Sequence, residues 1–551
     1  MTSECHSTYL DFPRIGSREV LADFDGGEIT SDGGALRLRK TEQLTGVIRQ
    51  FANCFTDHRN PDLIEHALEE LLAQRIYGLA LGYEDLNDHD DLRRDPWLAT
   101  VVGKRDPTGM ARIRTRDRGK ALAGKSTLNR LELSPVGADS QSRYQKIVCR
   151  TRDVEDLFVT LFLQAHAKPP ERIVLDLDAT DDPIHGHQLG RFFHGYDKNY
   201  CSLPLSIFCG DHLLLARLRP SDIAAAAGSV KHLTRIVTRI RQAWSKVQIV
   251  VRAESGFCRE EILGWCEKNG VDYLIGLAQN TRLKAMITAE QDQARLQFEA
   301  TKQPSRVFAE LRYQTLKTWS RERRVVAKAE HMAKGPNPRF VITSLSVEDR
   351  AGRSLYEEDY RGRGQMENRI KEQQLHLFAD RTSAGTMRAN QVRLYCSSIA
   401  YLLLNALRRL GLSGTELAEA SAHHCAGWVV WRDRPWFDLL VPVMVPGATH
   451  AAVRRVGSHR PNQRSLSWPS SLTSAPSDHP SNPSPTRGRR VTANTSWSIS
   501  RSSPSAASSA DATARRRSIA GPSTASRGWH CTSPYPTASS HATASVASSS
   551  C

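Results

Sequence analysis

The sequence contains no run of apolar residues long enough to span a membrane, and no secretory leader is visible at its start. A membrane-spanning helix needs about 20 mostly apolar residues. We therefore expect a soluble, cytoplasmic protein with no membrane partner. The 11 cysteines are scattered, without a Cys-x-x-Cys pair or a zinc-type Cys/His spacing. This pattern argues against a disulfide scaffold and against a zinc-binding module.

Lysine and glutamate are both missing from residues 421–551, although both are common earlier in the chain. Serine, proline, alanine, threonine and arginine dominate there, without a hydrophobic period. A segment of this composition cannot bury enough apolar surface to offset its ordering entropy, which predicts a low-complexity, disordered tail. Translation of a GC-rich gene out of frame gives the same composition. A frameshift origin for residues 421–551 is therefore our second hypothesis.

Positive charge is present in excess. The chain has 551 residues and a formal net charge of +16, which is room for several domains and a balance that suits a polyanionic partner. Nucleic acid is the usual partner of this kind.

A buried strand that runs into carboxylates lies near residue 175. Residues 173–182 read Ile-Val-Leu-Asp-Leu-Asp-Ala-Thr-Asp-Asp. Asp176 and Asp178 are two residues apart, so they should point to the same face of the strand. Two acids on one face of a core strand are costly unless a cation meets them. Either they hold a divalent metal, or the strand ends in a solvated turn.

Hydrophobic periodicity divides the chain into five regions. We expect a mostly helical, DNA-binding region at 1–168, where basic residues at 104–130 either meet phosphates or form a solvated face. Strands alternate with helices at 169–280, which predicts an α/β fold with a mixed sheet. We expect a helix at 221–243 and a β-rich insertion at 281–350. Helices return at 351–420, and the tail occupies 421–551.

The predicted helix at 356–377 carries several polar side chains on one face. Tyr360, Arg363, Glu367, Ile370 and Gln374 recur at steps of three and four residues, so they should line up along the helix. A long apolar helix at 390–409 should pack on the sheet.

Six motifs together resemble a known family. Tyr360, Arg363 and Glu367 are similar to the Tyr-Arg-Glu signature of bacterial DDE transposases. Five further motifs, in the right order, resemble the group-1 DDE transposases of the thirteen-eighty insertion-sequence family: residues 82–88, 127–132, 173–180 with 185–188, 252–257 and 390–394. The resemblance covers roughly residues 25–420. It implies a ribonuclease-H-like catalytic core interrupted by a β-rich insertion.

The resemblance also implies a site and a reaction. The first catalytic acid falls on Asp178, with Asp176 in reserve, the second on Glu254 and the third on Glu367. Such acids hold two Mg²⁺ ions, which Mn²⁺ can replace, because carboxylates are the hard oxygen ligands that these ions prefer. The implied reaction is cleavage of DNA at the inverted repeats of an insertion sequence and strand transfer into target DNA. A homodimer would hold the two ends.

The resemblance also implies DNA-binding roles for other residues. Arg363 would hold a phosphate near the acids, Tyr360 would orient the backbone or a base, and Lys371 would add positive charge. Trp319 would either stack on an unstacked base or be a buried core indole, the reading we favour. For His185 and His187 we favour a role in loop structure over metal binding.

The sequence departs from the family pattern at three places, and these departures raise alternatives to an active transposase. Glutamate stands at 254 where the family has aspartate, glutamine stands at 374 where the signature ends in lysine, and the tail after about residue 419 does not match. Glutamate is one methylene longer, so we expect metal binding to be retained and cleavage to be weakened. The alternatives are a DNA-binding transposase relic that cannot cut, and a magnesium-dependent nuclease of the same fold.

Overall fold

The computed structural model describes residues 9–15, 18–23, 32–188, 190–195 and 198–420. The predicted low-complexity or frameshift-derived tail at 421–551 lies outside these residues.

The first part of the chain is mostly helical. Its helices are α1 (Ala35–Thr45), α2 (Val47–Ala52), α3 (Leu68–Ala80), α4 (His89–Leu92), α5 (Pro96–Val102), α6 (Lys125–Leu133) and α7 (Thr151–Gln164). Two antiparallel strand pairs accompany them: β1 (Tyr9–Ile15) with β2 (Arg18–Asp23), and β3 (Phe55–Asp57) with β4 (Ile147–Cys149). In α3, Leu72, Ile76 and Leu79 recur at helical spacing and are buried, so the apolar period accounts for the face that packs inward.

A mixed sheet follows, and it confirms the predicted α/β class. Its members are β5 (Arg172–Ala179), β9 (Leu205–Cys209), β10 (His212–Arg217), β11 (Gln248–Ala253), β12 (Asp272–Leu277), β13 (Ser305–Tyr313), β14 (Arg323–Met332), β15 (Gly335–Pro336) and β16 (Arg339–Thr343). Within the described residues the strand order is β10-β9-β5-β11-β12-β16-β14-β13, with β15 on β14. β11 pairs in parallel with β5 and β12, and the remaining pairs are antiparallel. A small sheet of β6 (Asp182–Pro183), β7 (Phe192–His194) and β8 (Asn199–Ser202) lies between β5 and β9.

The second half of the chain adds seven helices among the described residues. They are α8 (Ser229–Ala243), α9 (Glu260–Lys268), α10 (Thr281–Met286), α11 (Thr288–Thr301), α12 (Gly352–Ser354), α13 (Gly364–Leu377) and α14 (Met387–Gly411). The predicted start of a helix at residue 221 is wrong, because α8 begins after Gly228, whose φ of +73° is left-handed. A helix cannot run through a residue in that conformation.

Residues 281–350 differ from the expected β-rich insertion in two ways. Helices α10 and α11 open this region, although no clear apolar period indicated them. Its strands β13, β14 and β16 then extend the central sheet from the edge of β12. Hydrogen bonding between β12 and β16 makes the region continuous with the sheet that carries the acids.

Different elements pack on the two faces of the sheet. Ile173, Leu175 and Leu177 of β5 point into a core shared with α8 and α9. Val174 packs against the opposite core, which is covered by residues 355 and 356. Because side chains alternate along a strand, Asp176 and Asp178 belong to this second face, as predicted.

The segment before Glu367 is helical but not a single regular helix. Leu355–Tyr360 is a π-helical turn, Arg361–Arg363 is a 3₁₀ turn, and α13 then begins at Gly364. Helix α14 packs partly against the sheet, as expected, through β10, and it also shares a hydrophobic core with α1 and α3. Among the described residues, no helix is long and apolar enough to cross a membrane.

Candidate active site

A cavity of about 490 Å³, with several charged side chains in its lining, opens where β5 and β11 end. Asp178 reaches it from β5, Glu254 from the residue after β11, and Glu367 from the first turn of α13. β5 and β11 are parallel, so their carboxyl ends meet at one edge of the sheet, where sites of α/β proteins form. The fold therefore brings together three acids that are far apart in the sequence.

Asp178 is the most deeply buried of the three acids, with 9% of the residue exposed. Its Oδ2 accepts a 2.6 Å hydrogen bond from the Thr180 hydroxyl. Burial raises the pKa of Asp178, and the nearby Glu367 charge adds to the rise, while Thr180 and Arg363 oppose it. A buried carboxylate of this kind gains from any cation that enters the cavity.

Arg363 lies between two of the acids. Its Nη2 donates to Glu367 Oε1 at 2.5 Å, and its Nη1 is 3.9 Å from Asp178 Oδ1. Burial lowers the pKa of Arg363, but the charge of Glu367 and the other neighbouring acids outweighs it, so the net shift is upward. The guanidinium is therefore a fixed positive charge at the centre of the carboxylates.

Asp176 lies apart from the cavity and has a partner of its own. Its oxygens accept two hydrogen bonds from Arg252, from Nε at 2.5 Å and from Nη2 at 2.7 Å. Nη1 of the same arginine donates to the carbonyl of Asp359. The Cα of Gly362 is tightly packed against this guanidinium, since a Cβ there would lie 2.6 Å from Nη1. Asp176 and Arg252 thus join the sheet to the turn that precedes Arg363.

Tyr360 contacts the end of the neighbouring strand instead of facing the open cavity. A Cβ built on Gly276 would lie 2.5 Å from the Tyr360 hydroxyl and 3.1 Å from the backbone nitrogen of Ser255. Burial raises the pKa of Tyr360; the charge of Arg363 opposes the rise and that of Glu254 adds to it. Glycine at 276 is what allows the tyrosine to reach the strand end beside Glu254.

The remaining predicted residues divide into two groups. Lys371 and Gln374 both line the cavity, one helical turn apart on α13. Trp319 does not line it: the residue is 6% exposed and packs edge-on against Tyr313 at 5.7 Å. The buried-indole reading of Trp319 is therefore the one that the structure shows. His185 and His187 lie outside the cavity lining, on the loop between β6 and β7.

The carboxylates that line the cavity, those of Asp178, Glu254 and Glu367 together with Asp181, are the oxygen ligands that a hard divalent cation prefers. In the part of the chain that the structure describes, no group of three or more histidine, cysteine, aspartate or glutamate side chains is spaced to hold a metal ion. In this arrangement Glu367 is paired with Arg363, at 2.5 Å.

Three residues near the site were assigned no role from the sequence. Arg252 and Thr180 stood inside recognised motifs, so their position was a signal, but their partners are set by strand pairing. Gly276 carried no signal, because only the approach of Tyr360 makes a side chain impossible there.

Comparison with known proteins gives one family. The model of a family described as "Transposase DDE domain group 1" matches residues 12–425, which includes all three acids. No curated protein matches the chain.

Proposed function

Because the chain belongs to the group 1 family of transposase DDE domains, we propose that it cuts DNA at the ends of an insertion sequence and joins those ends to target DNA. The observation that carries this proposal is the convergence of Asp178, Glu254 and Glu367 on one cavity. Within the group, the six sequence motifs support the thirteen-eighty insertion-sequence family. The mixed sheet, with β11 parallel to both β5 and β12, supports a ribonuclease-H-like core.

The three acids would hold two Mg²⁺ ions, which Mn²⁺ could replace. Bound there, the ions would supply charge neutralisation on the scissile phosphate and activation of the attacking oxygen. The burial that raises the pKa of Asp178 favours this arrangement, because a cation relieves the desolvation of its charged form.

Arg363 and Lys371 would hold the DNA backbone. Arg363 now pairs with Glu367, and a planar guanidinium suits a phosphate as well as a carboxylate. We propose that Arg363 exchanges Glu367 for a phosphate when DNA enters, which frees the glutamate for its role in the site. Lys371 lines the same cavity as Gln374 and would supply the positive charge that the family signature places at the latter position. The helical region at 1–168 would bind the DNA outside the cavity, with two copies of the chain holding two ends.

The test is cleavage of a duplex that carries the inverted repeats flanking the gene, with the purified full-length chain and MgCl₂. Asp178→Asn and Glu367→Gln should each reduce nicking roughly 1,000-fold, or about 4 kcal/mol, while leaving DNA binding in place. Glu261→Gln, at an exposed position on α9, is the matched control and should cut normally.

The outcomes separate the candidate functions. Cleavage followed by joining to a target plasmid supports the transposase. Binding without any cleavage by the unaltered chain would identify a relic. Cleavage of unrelated DNA without joining would identify a nuclease of the same fold. Cleavage that survives both acid substitutions would contradict the proposed site.

A further inference from the structure

A second cavity, of about 590 Å³, lies away from the three acids. Its walls include residues of three recognised motifs that the active site leaves without a role, 82–88, 127–132 and 390–394, together with flanking residues such as Lys125 and Tyr144. Helix α6, the connector before α4 and helix α14 each contribute one of them. Segments from distant parts of the sequence therefore build this cavity, as they build the first.

The charge around this cavity is mainly positive. Lys125, Arg130 and Arg393 line it together with a single acid, Asp85. The Asp85 carboxylate is occupied by the backbone and side-chain nitrogens of Asn87, each at 3.2 Å. Lys125 is itself paired with Asp90 at 3.1 Å, so the lining presents a small excess of cationic groups to a ligand.

A buried cluster below the cavity adds to this field. Glu132 is 1% exposed and accepts hydrogen bonds from two arginines, Arg75 at 2.9 Å and Arg393 at 2.7 Å. With each group counted once, four cations (Arg75, Lys125, Arg130 and Arg393) face three carboxylates (Asp85, Asp90 and Glu132), which leaves an excess of one positive charge. Because the cluster is shielded from water, its charge is screened less than that of a surface pair.

Arg130 is the cation of this lining that is most free to bind a ligand. It pairs with no carboxylate within the described ranges, and its guanidinium lies 5.6 Å from the centre of the Tyr144 ring. Tyr144 is 57% exposed, so the pair faces solvent at the mouth of the cavity. Asn129, exposed on the same helix, adds a neutral hydrogen-bonding side chain beside it. An exposed guanidinium beside a polar cavity suits a phosphate oxygen.

We propose that this cavity is a second DNA-binding site, which takes a backbone phosphate of the duplex through Arg130 with Lys125 and Arg393 behind it. The inference rests on the proposed function, because it takes DNA as the partner. The inference goes beyond the proposed function in two ways. It assigns a role to motifs remote from the three acids, and it separates the binding of the DNA end from its cleavage.

The experiment measures the affinity of the full-length chain for the inverted-repeat duplex across a range of salt concentrations. EDTA is present, so that no cleavage intervenes. Loss of one phosphate contact should reduce the slope of log affinity against log salt by about 0.9. We expect this reduction, with several-fold weaker binding, for Arg130→Gln, and a larger loss for Asn129→Glu, which places a negative charge in the lining.

Arg143→Gln is the matched control. Arg143 lies over the same Tyr144 ring at 4.8 Å but does not line the cavity, so its loss should leave the slope unchanged. Equal reductions in both variants would show a diffuse basic surface and overturn the cavity assignment. So would an unchanged slope in Arg130→Gln.

Two further measurements distinguish DNA from a small anion as the ligand, and a failure of this inference from a failure of the proposed function. The first adds inorganic phosphate and measures thermal stability. If phosphate stabilises the unaltered chain as strongly as the duplex does, and does not stabilise Arg130→Gln, the cavity is a small-anion site and the DNA assignment is overturned. An unaltered chain that binds no duplex at all would instead refute the proposed function itself. Normal duplex binding by the unaltered chain, with the same slope in Arg130→Gln, would refute this inference alone.

Discussion

Asp176 and Arg252 form a buried, two-point ion pair across the parallel strands β5 and β11, with N–O distances of 2.5 and 2.7 Å. Their side chains are 6% and 12% exposed. The arginine also donates to the carbonyl of Asp359, four residues before Arg363. The pair therefore ties the sheet to the turn that carries Arg363 and leads into α13, the helix of Glu367, in the candidate active site.

Breaking this ion pair should lower the free energy of unfolding of the protein. Arg252→Gln leaves the Asp176 carboxylate buried without its cation, and we expect a loss of about 3–5 kcal/mol in the free energy of unfolding. Urea denaturation of the full chain measures it. The double variant with Asp176→Asn should recover part of the loss, because no buried charge remains. A cost below about 1 kcal/mol for Arg252→Gln would show that the pair does not hold the turn.

Shortening the second acid should speed cleavage. Glu254 lines the cavity where the family has aspartate, and a misplacement of about 1 Å can cost on the order of 100-fold in rate. Glu254→Asp should therefore nick the inverted-repeat duplex faster, with unchanged duplex affinity. Glu254→Gln, which keeps the length and removes the charge, should be slower than the unaltered chain. If Glu254→Asp cuts no faster, the length of this side chain does not limit the reaction.

A methyl group at residue 276 should disturb the site from a distance. Gly276→Ala places a carbon 2.5 Å from the Tyr360 hydroxyl and 3.1 Å from the Ser255 nitrogen. Overpacking of this kind costs about 1–3 kcal/mol, and we expect cleavage to fall as the strand end beside Glu254 shifts. Thermal denaturation and a nicking assay measure the two effects.

Removal of the Tyr360 hydroxyl provides the rescue for that variant. Tyr360→Phe in the Gly276→Ala background removes the closest contact and should recover part of the stability. If the double variant is no more stable than Gly276→Ala alone, the tyrosine contact is not the source of the strain.

Asp182 should make the stability of the protein fall as the pH rises. Burial, with the nearby charge of Asp380, raises the pKa of Asp182 to about 8, whereas an unfolded aspartate has a pKa near 3.9. Between these values the folded chain keeps a proton that the unfolded chain has lost. Unfolding then releases a proton, so this residue lowers the free energy of unfolding by up to about 1.4 kcal/mol per pH unit from about pH 4 to pH 8.

Asp182→Asn cannot ionise and should remove this contribution. We expect the variant to gain stability over the unaltered chain as the pH rises from about 4 to 8, as measured by urea denaturation at each pH. Asp222→Asn, at an exposed position, should follow the unaltered chain. A difference between Asp182→Asn and the unaltered chain that does not change with pH would contradict the raised pKa.

Local pattern predicted much of the secondary structure. The strands at 173–178, 247–252 and 273–277 were placed to within one or two residues, because β-branched and apolar runs next to turn residues suit only a buried strand. The start of α8 was missed by eight residues, since the alanine-rich stretch before Gly228 favours a helix that the left-handed glycine prevents.

The sequence by itself determined which of the candidate site residues share a face of one element. Strand alternation placed Asp176 and Asp178 on one face, and the spacing of Arg363 and Glu367 placed them one helical turn apart, because both relations depend only on local backbone geometry.

Only the tertiary structure decided between residues that local geometry treats alike. Parallel pairing of β5 with β11 sets Arg252 beside Asp176 and leaves Asp178 facing the cavity. The packing of Trp319 against Tyr313 buries the indole. The second cavity forms where residues near 85, 130, 144 and 393 meet. These relations join residues that are far apart in the sequence, so they arise from the folding of the whole chain and not from any segment of it.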